Sequence, residues 1–183
     1  IWRTQIARGS CTLPQLEQLE NRLLAMKNYI TYHPWKIVEE AYDPQVNTVS
    51  ESLFSTGNGM FGLRGNFEEA FSGPTLQGHS IAGVYYPDKT RVGWWKNGYP
   101  EYFAKVLNAP SWIGMKCQIN GVEVDIAQLK VLSFYRELDM REGVLRREVA
   151  LELPAGEQVK ISSERFCDLN RTEFAALKYS VQS

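Results

Sequence analysis

Residues 112–181 constrain the fold more tightly than any other stretch of the chain. Ile113, Met115, Cys117 and Ile119 alternate with other residues, Asn120-Gly121 follows, and Val122, Val124 and Ile126 alternate again. A period of two is the pattern of a strand that buries one face. Asn-Gly is the dipeptide that a type I′ hairpin turn selects, because both central residues need positive φ. The spacing therefore predicts a hairpin about Asn120-Gly121. Further strands are predicted over 131–138 and over 144–153, where Leu145, Arg147, Val149, Leu151 and Leu153 share one face. Pro154-Ala155-Gly156 turns the chain, Val159, Ile161, Ser163 and Arg165 begin the return, and 174–181 reads as one more strand. Strands at such intervals, separated by turn residues, specify an all-β, antiparallel β-sandwich. Upstream, 35–39 is strand-like, and 52–55 and 60–63 are short apolar runs in the same β-patterned region.

Helix is expected mainly over 13–27. Leu13, Leu16, Leu19 and Leu23 recur at spacings of three and four, with Glu17, Glu20 and Arg22 between them, which is one apolar face of a short helix. The character changes at Met26. Residues 1–25 are read as an appendage, non-native or upstream sequence, with Met26 the natural start. Residues 26–183 are read as the sandwich, incomplete at its C-terminal end.

Composition removes several functional classes. Twenty Lys and Arg against 21 Asp and Glu leave a net charge of −1, so the basic footprint of a nucleic-acid binder is missing. No apolar run reaches the length of a membrane helix, and the N-terminus lacks a signal-peptide pattern. A cytoplasmic location is expected. Cys11, Cys117 and Cys167 are too few and too scattered for a disulfide framework or a zinc site. His33 and His79 stand 46 positions apart, are expected on the surface or in loops, and leave no basis for a metal site.

Gly57-Asn58-Gly59-Met60-Phe61-Gly62 matches G-x-G-x-x-G. A dinucleotide site needs a buried strand before this motif and a helix after it, and the pattern supplies neither. Its glycines are read as permitting turns and close approach of backbones. Glu68, Glu69, Glu101, Asp125 and Asp139 are acids of a type that glycosidic chemistry uses. Their spacing pairs none of them across a cleft, so they are read as solvated or turn carboxylates. Asn170-Arg171-Thr172 is a glycosylation sequon expected to stay unmodified.

The window from Tyr85 to Trp112 holds eight of the chain's 22 aromatic residues, and its segment 88–100 shows no strand period after Val92. Such a polar and aromatic segment reads as a long loop, and long loops in compact domains are frequently functional. Trp94, Trp95 and Tyr99 could stack on the apolar face of a sugar while Lys96 and Asn97 bond its hydroxyls. The same residue types also suit packing against another domain or subunit.

The run from Glu51 to Glu69 resembles the opening signature of glycoside hydrolase family 65, with Gly57, Asn58, Gly59, Gly62, Arg64, Gly65 and Asn66 at its centre. Ile81-Ala82-Gly83-Val84-Tyr85, Asn108-Ala109-Pro110-Ser111-Trp112, Leu138-Asp139-Met140-Arg141-Glu142-Gly143 and Glu164-Arg165-Phe166 follow in the family's order. Residues 86–100 are similar to its maltose-cleaving branch. The resemblance implies a multidomain enzyme that opens with a β-sandwich and carries its chemistry in an (α/α)6 barrel. It implies inverting phosphorolysis of an α-linked glucose disaccharide, with inorganic phosphate as co-substrate and no cofactor or metal. The related specificities are trehalose and kojibiose phosphorolysis and trehalose hydrolysis. A carbohydrate-binding sandwich without catalysis is the reading from a different class. No catalytic residue of the family falls within this chain. A homodimer is expected, with the sandwich packed on its own barrel and no nucleic-acid or membrane partner.

Overall fold

Alternating residues along the C-terminal half of the chain give it two unlike faces, and burying one of them organises the molecule. The computed structural model describes residues 29–91, 98 and 100–183. In chain order the elements are β1 (Ile30–His33), β2 (Lys36–Glu39), α1 (Asn47–Leu53), β3 (Thr56–Gly57), β4 (Phe61–Leu63), β5 (His79–Ile81), β6 (Tyr85–Lys89) and β7 (Tyr102–Val106). Then come β8 (Gln118–Ile119), β9 (Val122–Glu123), β10 (Lys130–Asp139), β11 (Val144–Glu152), β12 (Gln158–Cys167) and β13 (Ala175–Gln182).

Six strands form one antiparallel sheet in the order β1-β2-β10-β11-β12-β13. Its register sets Phe134 opposite Val149 and Val149 opposite Ile161, so neighbours across three strands point to one side. Phe67, Val124 and Ile126 cover them from the other layer, closing a core with Leu151, Leu153 and Val159. That layer is assembled from small pieces: the sheet β3-β4-β5, the hairpin β8–β9 and the connections between them. The fold class is therefore the antiparallel all-β sandwich that the alternation indicates. The turn is also as expected, with Asn120 at φ 50° and Gly121 at φ 80°. The strands it joins are shorter than their alternation suggested, two residues each.

Three expectations are corrected. Ser52-Leu53-Phe54 is not strand but the end of α1, whose inward side presents Asn47, Ser50 and Glu51 to the interior. A helix that buries polar residues carries no apolar stripe for periodicity to find. The loop expected over 88–100 begins later: Tyr85–Lys89 pairs with Tyr102–Val106 in a ribbon, so Asp88 and Lys89 are strand, while 92–97 and 99 lie outside the described residues. Both faces of that ribbon are largely exposed, so no alternation marked its strands. His79 is buried in β5 rather than lying in a loop. The helical pattern over 13–27 lies outside the described residues.

Candidate functional site

The residues read as a family signature are gathered into one structure by three arginines. Arg136, Arg147 and Arg165 sit on adjacent strands β10, β11 and β12, all within the buried layer. Arg136 and Arg147 are direct cross-strand neighbours, a pairing of like charges that is unfavourable by itself. What compensates them is the segment 64–69, laid across the sheet like a strap. Arg165 donates to the carbonyls of Arg64 (3.0 Å) and Asn66 (2.9 Å), and Arg136 donates to that of Gly65 (3.0 Å). Arg147 donates to Glu68 (2.8 Å) and Glu69 (2.6 Å), and Arg165 to Glu68 (2.8 Å). Arg136 completes its fork on Glu39 of β2 at 2.8 and 2.6 Å. Its guanidinium also lies over the rings of Phe54 and Phe67.

The remaining signature residues fix the two ends of this strap. Gly65 approaches α1 so closely that a Cβ there would lie 2.8 Å from the Cβ of Phe54; its N–H donates to the Glu51 carbonyl (2.7 Å). The Glu51 carboxylate, fully buried, accepts from Asn47, Thr75 and the Leu76 N–H. Asn66 bridges to Leu76 and Gly78. Arg64 reaches Thr48 and Ser52 on α1. Asn58 holds the β3–β4 turn: its amide donates to the carbonyls of Asp168 (2.7 Å) and Thr172 (3.0 Å) while its oxygen accepts from Met60 and Phe61. Gly59 supplies the positive φ of that turn, and Gly57 and Gly62 face each other across it. The G-x-G-x-x-G motif is thus a β-hairpin with the helix in front of it, the reverse of a dinucleotide site.

Electrostatics decide what this cluster can do. Burial alone would raise the Glu68 carboxyl, but Arg147 and Arg165 outweigh burial and hold it below the usual carboxylate range. Burial and the neighbouring Glu69 push the Tyr179 hydroxyl upward, and it donates to Glu69 at 2.6 Å. Glu68 is therefore ionised and engaged, the opposite of a proton donor poised near neutrality. Neither it nor Glu69 is the solvated carboxylate that the sequence suggested, since both are buried. Asp125 and Asp139 do serve turns, accepting from Ala127 and from Arg141 and Glu142 respectively. The arrangement fastens two layers together and positions backbone; it does not perform acid–base chemistry.

The sugar-facing candidates Trp94, Trp95, Lys96, Asn97 and Tyr99 lie outside the described residues. What flanks them is well placed: the Thr90 N–H donates to the Glu101 carbonyl (2.8 Å) at the far end of the β6–β7 ribbon. Reasoning from sequence missed the arginines as a group. The available signal was Arg147 among the inward residues of its own strand.

Comparison with known proteins agrees with this geometry. Residues 37–183 match the model of glycosyl hydrolase family 65, N-terminal domain. Maltose phosphorylase of Bacillus subtilis (strain 168) is 46% identical over 148 residues, which cover 81% of this chain and 19% of the relative. Alpha,alpha-trehalose phosphorylase of Thermoanaerobacter brockii is 33% identical, covering 82% of this chain and 20% of the relative. A solved structure from the human microbiome, assigned as a kojibiose phosphorylase, superposes with a TM-score of 0.74 at 28% identity, over 84% of this chain and 20% of that one. The chain thus spans about a fifth of the length of the relatives it matches. Among the described residues no helix is long and apolar enough to cross a membrane.

Proposed function

This chain belongs to glycosyl hydrolase family 65, and on that premise we propose that the whole protein is a maltose phosphorylase to which these residues contribute the N-terminal β-sandwich. The single observation that carries the choice of maltose is the gradient of similarity: 46% identity to the maltose enzyme against 33% to the trehalose enzyme and 29% to a kojibiose phosphorylase. The reaction is phosphorolysis with inversion. A carboxylic acid protonates the glycosidic oxygen while phosphate attacks the anomeric carbon, releasing glucose and β-glucose 1-phosphate. In this reading phosphate takes the place of base-activated water, so one carboxylic acid suffices, and it lies in the barrel outside this chain.

The part played here is positional. The strap holds the two layers in fixed relation, and the β6–β7 ribbon flanks the candidate sugar-facing residues in the chain. We place Trp94, Trp95, Lys96, Asn97 and Tyr99 at the mouth of the barrel, facing the disaccharide. The test uses the full-length protein with a panel of α-linked glucose disaccharides. Phosphate-dependent glucose release is expected from maltose, and preference for kojibiose or trehalose would overturn the substrate. Glucose release that ignores phosphate would mean a hydrolase, and no release at all would favour a sugar-binding sandwich. Trp94→Ala and Trp95→Ala should raise the maltose KM with the melting temperature unchanged.

A further inference from the structure

The β6–β7 ribbon meets the signature hairpin at a groove of about 290 Å³ that the mechanism above leaves unused. Its walls are Met60 and Phe61 from the β3–β4 hairpin, Ile81 and Val84 from β5 and the turn after it, and Tyr85 and Val106 from the ribbon. Twelve described residues line it and none carries a charge, in a chain where 22% of residues do. Met60, Val84, Tyr85 and Val106 are nevertheless exposed, Val106 at 68%.

The ribbon extends this surface. Register pairs Tyr85 with Val106, Pro87 with Ala104 and Lys89 with Tyr102, and directly opposed residues of an antiparallel pair point to the same side. Next to the groove this ribbon face is apolar, with Tyr85, Val106, Pro87 and Ala104, and Lys89 enters only at its far end beside Tyr102. The other face carries Tyr86, Phe103, Asp88 and Lys105, with an ion pair between the last two at 3.6 Å. A two-stranded ribbon standing alone in water is marginal. A groove lined without a single charge is the composition of an interface core rather than of solvent-facing surface.

The chemistry of the lining selects the occupant. Ser80 and Tyr85 are its only side chains with hydroxyls, too few to satisfy the hydroxyls of a disaccharide. That argues for polypeptide over sugar. The matched relatives carry about four-fifths of their length beyond the matched segment, and a covalently attached partner is present at an effective concentration that a separate molecule rarely reaches. Resting on the reading of this chain as one domain of a longer phosphorylase, we propose that the groove and the apolar ribbon face are the seat of the remainder of the same polypeptide. Seating this face would hold the ribbon rigid.

Hydroxyl-radical footprinting of the full-length protein, read by mass spectrometry, tests this. Met60, Tyr85 and Val106 should oxidise at least fivefold more slowly in the native protein than in the same protein unfolded in urea. Tyr86, on the opposite face, should keep most of its unfolded rate. The protection should persist on dilution and without sugar. Val106→Asp should abolish it and lower the melting temperature, while Tyr86→Asp should change neither. Rapid oxidation of Tyr85 and Met60 in the native protein would overturn the proposal. So would protection lost on dilution, which would assign the face to a second copy, or protection that needs maltose, which would assign it to substrate. The wild-type phosphorolysis assay reads the underlying premise separately. An active enzyme with an unprotected groove sinks the docking surface alone, and an inactive protein with a protected groove sinks the assigned reaction alone.

Discussion

The strapped sheet and the β6–β7 ribbon are two ways of using polar and aromatic residues in one chain. Beneath the strap, three arginines and the carboxylates of Glu39, Glu68 and Glu69 are withdrawn from water, and almost every charge meets its opposite within 3 Å. On the ribbon, tyrosines stand in the open and the ion pair of Asp88 with Lys105 is longer and solvated. Buried pairs are expensive to break because the survivor is stranded in a medium that solvates it poorly. Exposed pairs are replaced by water with little change. Equivalent truncations in the two regions should therefore differ by several kcal/mol.

The largest effect is expected at Arg147. Replacing it by Ala takes the cation from buried Glu69 and leaves buried Glu68 with Arg165 alone, and should lower unfolding stability by about 3–5 kcal/mol. Urea denaturation reads it as a fall in midpoint at unchanged slope. Failure of the variant to accumulate as folded protein is the same result in stronger form. A loss below about 1 kcal/mol would show that the network is not holding the layers. Next comes Gly65→Ala, whose added methyl would sit 2.8 Å from the Cβ of Phe54 and 3.2 Å from its carbonyl oxygen. Strap or helix must shift, at about 1–3 kcal/mol. Val106 on the ribbon is 68% exposed in this chain, so Val106→Ala in the isolated chain should stay within about 0.5 kcal/mol of wild type.

The same contrast explains what could be read in the sequence. Strands β10 to β12 were legible because one face of each is buried against apolar cover, and period-two alternation survives in Leu145, Val149 and Leu151. Arg147 appeared on that inward face, but its partners lie 78 and 79 positions away. No local pattern announces a pairing made only by the fold. Helix α1 was hidden for a related reason: Asn47, Ser50 and Glu51 face inward, so polar residues do the work that periodicity assigns to apolar ones. The ribbon was hidden for the opposite reason, since with both faces open nothing obliges its residues to alternate. The signature from Gly57 to Asn66 is legible as a unit in the sequence, but its purpose is not. Only the carbonyls of residues 64–66, pointing at arginines some 70 to 100 positions on, show that it is a fastening.

Acid should act on the strap and spare the ribbon. The folded value of Glu68 lies below its ordinary 4.5. The stability it contributes is thus fully present above that ordinary value and is lost as pH falls through the lower, folded one. Urea midpoints followed from pH 6 down to pH 3 should drop, with the loss setting in near pH 5. Glu68→Gln is expected to be less stable at pH 6 but to show a shallower acid limb. An identical slope in the two proteins would place the acid sensitivity elsewhere.

The smallest effect is expected on the ribbon, at Lys105→Ala. Its Nζ lies 3.6 Å from Asp88, with the two side chains 66% and 45% exposed. Water and salt screen such a pair, and two mobile side chains lose freedom to form it, so its net contribution is below about 0.5 kcal/mol. Substituting it in the isolated chain should leave the urea midpoint where it was, in low salt and in high. In the full-length protein the same substitution should remain silent, because Lys105 stands on the face opposite the apolar groove. If Lys105→Ala instead lowers the full-length melting temperature while leaving the isolated chain untouched, the charged face is the one that is covered. The ribbon would then have been assigned the wrong way round, a result that Val106→Asp alone could not reveal, since a buried charge on either side of a thin ribbon destabilises it.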